Sequence, residues 1–441
     1  MSGDLSQIAK DRELAAGTEI RYFLFSFTDL FGVMRSKLVP AHAASDMQKT
    51  GAGFAGFATH LDMTPAHPDM WAMPDVDGLI QIPWQPELGW IPSDLHMDGE
   101  PVAQAPRVLL KRIIEQAAEA GYVMKSGVEC EYFIIDPDGT KISDPNDTQA
   151  KPCYDQLALL RRYDLISEIC DAMGGMGWSP YQNDHEDGNG QFEMNWEYAD
   201  CLTTADRHTF FKFMVKSLAE KHGLRATFMP KPFLGLTGSG CHVHFSLWDK
   251  DSDENLFKDP DGDQGLSELA YHFLGGVIHS AEALCAITNP TVNSYKRINA
   301  PVTASGATWA PNYISYTGNN RTHMVRTPED DRFEFRLPDG AANPYLLQAA
   351  VLAAGLDGIA NERDPGPRLD IDMNAPGADV TGLRQLPLYL LDALRAFERS
   401  DVLRAAFGDE FVSSYVKLKM AEWQEYSSQL TSWERERTLD C

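Results

Sequence analysis

Cys241-His242-Val243-His244-Phe245 is the stretch from which the fold can be read. Side chains on a strand alternate faces, so residues two apart point the same way. His242 and His244 then share one face, and Cys241, Val243 and Phe245 take the other. Two further stretches repeat the pattern. In Val128-Glu129-Cys130-Glu131-Tyr132 the two glutamates share a face, and in Arg332-Phe333-Glu334-Phe335-Arg336 the charged residues oppose the phenylalanines. One such strand alone reads as half-exposed, with a solvated charged face, because charged residues are mostly exposed. All of them in one domain predict a curved sheet whose concave face is lined by Glu, His and Arg. Oxygen donors with an occasional imidazole suit Mg2+ or Mn2+ better than zinc.

Working outward, Asp184-His185-Glu186-Asp187-Gly188-Asn189-Gly190-Gln191-Phe192-Glu193 packs acids, Gly and Asn too densely for an interior strand. It reads as a loop or rim strand. Glu193, just before Met194 and Trp196, is its member least like a surface residue. Arginines are the other excess: Arg297, Arg321, Arg326, Arg332 and Arg336 cluster in an acidic chain, with no acid between Arg297 and Pro328. Guanidinium groups bind carboxylates and phosphates bidentately. Acids, a divalent metal and clustered Arg are the equipment of phosphoryl transfer. The Gly-rich Leu236-Thr237-Gly238-Ser239-Gly240 lacks the P-loop frame, and the chain has no dinucleotide fingerprint or nucleophile elbow. These residues alone support a metal-dependent phosphoryl-transfer enzyme, with a metal-dependent hydrolase as runner-up.

The rest of the chain sets the frame. At 441 residues it has length for two or three domains around one core. Lys plus Arg number 38 and Asp plus Glu 64, so the net charge is 38 − 64 = −26. Such a chain repels nucleic-acid phosphates and anionic membranes. No apolar run reaches the roughly 18 residues of a membrane span, and the N-terminus lacks a signal pattern. The seven scattered cysteines read as reduced thiols, and the expected location is the cytoplasm.

Residues 1–17 read as a short helix or loose tail, and Glu19 to Val39 as two strands about a turn at Asp29 and Gly32. Short strands with loops follow between Pro65 and Pro92. A helix opens near Pro106 and stops at Gly121. Beyond it, strands are expected at 127–135, 227–233, 240–247 and 332–337. Helices are expected at 157–173, 206–222, 266–286 and 344–361, with a helical tail over 388–426 broken at Gly408. The fold class is α/β or α+β, with a small β-rich domain over residues 1–105 and a larger one over 106–441.

At these residues the chain resembles the glutamine synthetase superfamily. The signature pieces are Glu129-Cys130-Glu131, His185-Glu186 through Gln191-Phe192-Glu193, Phe228 to Phe233, Gly238 to His244, Asn293 to Arg297, Asn319 to Arg321 and Arg332 to Asp339. The resemblance implies an α+β fold: a β-grasp N-terminal domain, and a catalytic domain on a curved antiparallel sheet flanked by helices. It implies a homo-oligomer, a dodecamer of two hexameric rings, with each site between neighbouring subunits. Two or more Mg2+ or Mn2+ ions per site and ATP as co-substrate are implied. Glu131, Glu186 and Glu193 would hold one metal, and Glu129, His242 and Glu334 the other. His244 and Ser246 would meet the nucleotide or its phosphates. Arg321, Arg326 and Arg332 would meet phosphate. Gly238, Arg297 and Arg336 would bind L-glutamate, with Tyr154 near the amine. The implied reaction phosphorylates the γ-carboxylate of glutamate, after which an amine displaces phosphate.

Two positions depart from the ammonia-using members. Their ammonium-binding Asp falls here on Ala55, beside Phe54 and Phe57. Their acid-bearing flap is replaced by the segment 298–309, which has no acid. Ammonium wants carboxylates, whereas an alkylammonium adds apolar surface. One methyl group in a pocket is worth only about 1–3 kcal/mol, so selectivity can be partial. Glu186 remains to meet the amine's charge. Within the family, the HEDGNGQFE and SGATWAPN segments most resemble γ-glutamylmethylamide synthetases (glutamate–methylamine ligases), which places the chain in methylamine and nitrogen metabolism. The alternatives are an ammonia-using glutamine synthetase with Asp62 as base, a ligase for a larger amine, and an inactive ring-forming regulator. Tyr389 lies outside any adenylylation motif, so that form of control is not expected.

Overall fold

The structure, a computed structural model, describes residues 3–301 and 309–441. A helix Leu5–Ala16 leads into the strands Tyr22–Thr28 and Met34–Pro40. They turn where expected: the Asp29 carboxylate accepts from the backbone of Phe31 and Val33, and Gly32 takes a positive φ of 78°. These strands belong to a seven-stranded sheet in which Tyr22–Thr28 pairs antiparallel with Met34–Pro40 and parallel with Leu88–Met97. The helix Ala41–Thr50 interrupts this region. Its apolar positions are too few to mark it in the sequence.

The helix Pro106–Glu119 begins with Pro in its first turn, and Gly121, with φ 88°, follows its end. Its buried Arg107 donates to Asp75 and Asp94 of the N-terminal region and to Asp206 of the helix Cys201–Lys221. Asn343 makes a second tie. It caps the helix Pro344–Ala360 and donates from its amide to the Asp29 carbonyl at 2.9 Å.

The chain beyond residue 121 holds two further sheets. One has six strands, with Cys241–Asp249 between Tyr122–Cys130 and Arg332–Phe335. The other has four, including the hairpin Pro180–His185 and Gln191–Trp196. The strand expected over 127–135 breaks at Glu131. Tyr122–Cys130 stays in the first sheet and Tyr132–Ile135 enters the second. At the break the Glu131 amide donates to the Gly240 carbonyl. The chain is thus one continuous extended run that changes pairing partners, and this bends the surface expected from a single curved sheet.

Other expectations need correction. The strand expected over 227–233 is only Arg225–Thr227. Pro230 and Pro232 have no N–H for a ladder, and the Lys231 amide donates to the Asn293 side chain instead. The helix over 157–173 is two, Gln156–Arg161 and Tyr163–Gly175, and the tail also breaks at Ser400. The acid-rich 184–193 segment is the tip and flanks of a hairpin. The strand Val325–Glu329 had no clear signal, since its apolar positions are few and it holds a Pro.

Helices Glu268–Thr288 and Pro344–Ala360 are buried along most of their length and pack behind the six-stranded sheet, giving the core its thickness. Phe245, Phe257, Phe273 and Phe333 stack edge-on or tilted there. With Val243, Phe245, Phe333 and Phe335 buried on this side, the ionisable partners of the same strands face the opposite way.

Candidate active site

Register puts the functional residues side by side. His242 lies opposite Glu129, and His244 opposite both Gly127 and Glu334. Arg326 lies opposite Glu334 on the next strand. His242 Nδ1 is 3.3 Å from Glu129 Oε2 and 3.7 Å from Glu334 Oε1. His244 Nε2 lies 3.0 Å from Glu129 Oε1, while its Nδ1 accepts from Arg332 Nε at 3.2 Å. Glu334 is fully buried, with Arg336 at 2.6 Å and Arg326 on its other oxygen. Burial raises its pKa, but the charges of Arg336, His242, His244 and Arg326 hold it at about 2.

From the hairpin and the strand break come the other acids. Glu131 accepts from the Gly240 amide at 2.8 Å and from Gln191 at 2.9 Å. Glu193 is buried and accepts from Asn195 at 3.0 Å. Burial, and then repulsion from Glu129, Glu186 and Glu131, pushes Glu193 well above the usual carboxylate range. Burial and then Glu131 push Glu186 up to about 8. Burial opposes ionisation of Glu129 too, but the neighbouring His242 and His244 hold it well below the usual range. Carboxylates crowded this way resist ionising together unless a cation joins them.

The donor sets fit such a cation. Glu129, His242 and Glu334 bring ligand atoms within 4.8 Å of one another, as the sequence reading grouped them. The other trio divides differently: Glu131 and Glu193 join His242, while Glu186 and Glu193 join Asp184. Glu193 is therefore shared. Asp184 was not singled out, yet it sits opposite Glu193 across the hairpin. The signal for it was the same alternation, on a strand too polar to read as one.

These acids line a cavity of about 410 Å3 with Gly238, Arg297, Arg321, Arg326, Arg336 and Tyr154. Arg297 is buried and donates to the Leu337 carbonyl at 2.9 Å. The arginines without nearby sequence acids thus turn to Glu334, to backbone carbonyls, or into the cavity. Tyr154 has a positive φ of 65°, and its amide donates to the His185 carbonyl at 2.8 Å. A neighbouring cavity of about 250 Å3 shares Glu129 and is walled by His244, Ser246, Arg332, Tyr181, Tyr198 and Trp248. His244, Ser246 and Arg332 were expected there. The aromatic walls were missed, because isolated Tyr and Trp carry no spacing signal.

Behind the hairpin tip, buried His185 is held by Asp147 Oδ2 at 2.7 Å and the Pro152 carbonyl at 2.6 Å. Asp147 also accepts from the Gly190 amide and the Asn189 side chain. Of the expected flap, residues 302–308 lie outside the described residues. Trp309 is described: its indole donates to Asp187 at 2.9 Å, and both line the larger cavity. The residues around position 55 stand apart. Phe54 packs edge-on against Phe27 within the N-terminal sheet, Phe57 is 52% exposed, and none of Phe54, Ala55 and Phe57 lines the larger cavity. Asp62 pairs with Lys417 at 2.6 Å.

Carboxylate clusters opening beside an arginine-lined pocket and an aromatic-walled one are an arrangement able to hold divalent cations and anionic substrates. Residues 103–438 match the glutamine synthetase catalytic domain, and the chain belongs to that family. A glutamine synthetase of Rhizobium leguminosarum bv. phaseoli is 62% identical over 440 residues, covering 100% of both chains. A glutamate–methylamine ligase of Methyloversatilis universalis is 42% identical over 425 residues, covering 94% of this chain and 95% of its own. A solved structure of a GmaS/ADP complex superposes with a TM-score of 0.94 at 61% identity, covering 99% of this chain and 100% of that one. No helix among the described residues is long and apolar enough to cross a membrane.

Proposed function

We propose that this chain is a carbon–nitrogen ligase that joins L-glutamate to methylamine, with ATP as co-substrate, through γ-glutamyl phosphate. The observation that carries it is the pair of adjoining cavities meeting at Glu129. The aromatic-walled one suits a purine and its ribose. The larger suits glutamate, with the transferred phosphate between them.

Each group then has a task. Tyr181, Tyr198 and Trp248 hold the nucleotide, with His244, Ser246 and Arg332 toward its phosphates. Arg297, Arg336 and the Gly238 backbone hold glutamate. Arg321 and Arg326 stabilise the transferred phosphoryl group. Glu129, His242 and Glu334 would hold one Mg2+ or Mn2+, and Glu193, with Glu186 and Asp184 or with Glu131, a second. The metal, when bound, neutralises phosphate oxygens. Deprotonated Glu186 offers its charge to the incoming alkylammonium, and Asp187, tied to Trp309, adds the carboxylate that the flap lacks. Assembly into stacked rings, with residues 1–105 acting at a neighbour's site, belongs to this reading, as does a cytoplasmic location.

Two features favour methylamine: Ala55 in place of an acid, and the likeness to the glutamate–methylamine ligase of Methyloversatilis universalis. Ammonia is the second reading, favoured by the rhizobial relative named glutamine synthetase. Phosphate release from ATP, glutamate and Mg2+ should be measured with each amine, the products being identified by mass. A large methylamine preference is expected. Glutamine as the main product at equal amine concentration overturns the methylamine assignment.

A further inference from the structure

A third cavity, of about 550 Å3, lies on the other side of the loop that holds Gly238. Lys212 and Lys216, one helical turn apart, and Arg225 line it. Like charges at that helical spacing repel. Among the described residues, none of the three is ion-paired to a carboxylate, although the Glu220 charge reaches Lys216. This is unusual in a chain of net charge −26, where acids outnumber bases 64 to 38. Lys212 Nζ finds only a carbonyl, that of Gly340 at 2.7 Å. Both lysine ammonium groups lie near the Phe228 ring, at 5.5 and 5.7 Å from its centroid. Glu220 is the one acid in the lining. Asn293 adds a polar side chain to the wall and is itself fixed by Lys231 through two hydrogen bonds.

We propose that this cavity is a second anion site, distinct from the catalytic one, for a small polyanion bearing a phosphate group or two carboxylates. Paired cations over an aromatic floor offer charge to oxygen atoms and a flat apolar surface to a short carbon chain. A polyanion would relieve the repulsion between the cations. The site has a structural neighbour of consequence. The Pro230 carbonyl, also in its lining, accepts from the Ser239 amide at 2.8 Å, so the cavity and the glutamate loop share a wall.

The test is calorimetric titration of the assembled enzyme with inorganic phosphate and, separately, with succinate. Wild type is compared with the Lys216→Gln/Arg225→Gln double variant and with Glu220→Gln. The catalytic site is common to all three proteins and cancels in the comparison. Lys216, Arg225 and Glu220 are exposed, and none belongs to the catalytic machinery, so turnover without added anion should be unchanged. One probe or the other should bind the double variant about tenfold or more weakly than wild type, and Glu220→Gln should bind it more tightly. A phosphate-only response assigns the site to phosphorylated ligands, and a succinate-only response assigns it to dicarboxylates. Equal binding by all three proteins overturns the proposal. So does a wild type that binds neither probe while the double variant changes the assembly mass, since the cations would then serve a contact between subunits.

Discussion

A Cβ on Gly238 would lie 2.5 Å from the Pro230 carbonyl oxygen and 2.8 Å from Arg297 Cγ. Neither neighbour has room to retreat: the carbonyl is held by the Ser239 amide, and Arg297 is buried. Gly238→Ala should therefore displace Arg297 and raise the KM for glutamate by roughly tenfold to a hundredfold, with the KM for ATP little changed. Steady-state kinetics on each substrate reads this, and an unchanged glutamate KM removes Arg297 and Gly238 from the glutamate site. Glu186 supplies a second test. Its pKa rises from an ordinary 4.5 to about 8 in the metal-free fold. A carboxylate raised on folding contributes stability that is full below pH 4.5 and is lost as pH rises through about 8. The Tm of metal-free protein should therefore fall across that window. Added Mg2+ should raise Tm more at pH 8 than at pH 6 and should release protons on binding. An equal Mg2+ shift at both pH values contradicts this account. At this scale the sequence was most informative, because alternation along a strand is local. It put Glu129, His242 and Glu334 each on an ionisable face, and the family resemblance grouped the three, whose ligand atoms lie within 4.8 Å of one another. It could not show that Glu193 is shared or that Asp184 joins it, since that depends on which strand lies opposite.

The hairpin Pro180–His185 and Gln191–Trp196 shows what an element adds. Its tip carries Glu186, and besides contacts with Phe133 and Ile142 it is held by polar bonds. Asp147 does this from a separate loop by gripping His185, the Gly190 amide and Asn189. Asp147→Ala would leave the buried His185 Nε2 and the buried Gly190 amide unmet, at a cost of about 1–3 kcal/mol in stability. It should also weaken Mg2+ binding about 10–100-fold, as loss of a support behind a metal ligand commonly does. Melting with and without Mg2+ separates the two effects. A stability loss with unaltered Mg2+ affinity would mean that the clamp supports the fold alone. Asp147 had drawn no attention in the sequence: its role depends on a contact with a residue 38 positions away. The change of sheets at Glu131 was hidden for a similar reason. The local pattern reads as extended on both sides, and only the partners differ. The 228–233 segment was open to a better reading, since Pro230 and Pro232 already argue against a ladder.

At the scale of the whole molecule, the proposed reading has the amine site completed by a neighbouring copy, and the single chain can be checked against it. Ala55 sits in the N-terminal region and is not in the lining of the 410 Å3 cavity, and Leu38 and Trp71 on the strands there and Phe57 on a short helical turn are 55%, 43% and 52% exposed. Apolar surface of that kind suits burial against a second copy. The family resemblance placed this position across a subunit boundary, and nothing local in the sequence could do so. If Ala55 shapes a neighbour's amine pocket, Ala55→Asp should shift the methylamine-to-ammonia turnover ratio toward ammonia by about tenfold. An unchanged ratio would remove position 55 from the amine site. Mixed assemblies then show whose site it serves. Glu131→Ala should abolish metal-dependent turnover in its own chain while leaving its residues 1–105 intact. Co-assembled with Ala55→Asp chains, it presents a native Ala55 to their working catalytic portions. Methylamine preference should return in the mixture if position 55 acts across the boundary. If the mixture keeps the ammonia-shifted ratio of the Ala55→Asp protein alone, position 55 acts within its own chain, and the amine selectivity does not depend on the contact between subunits.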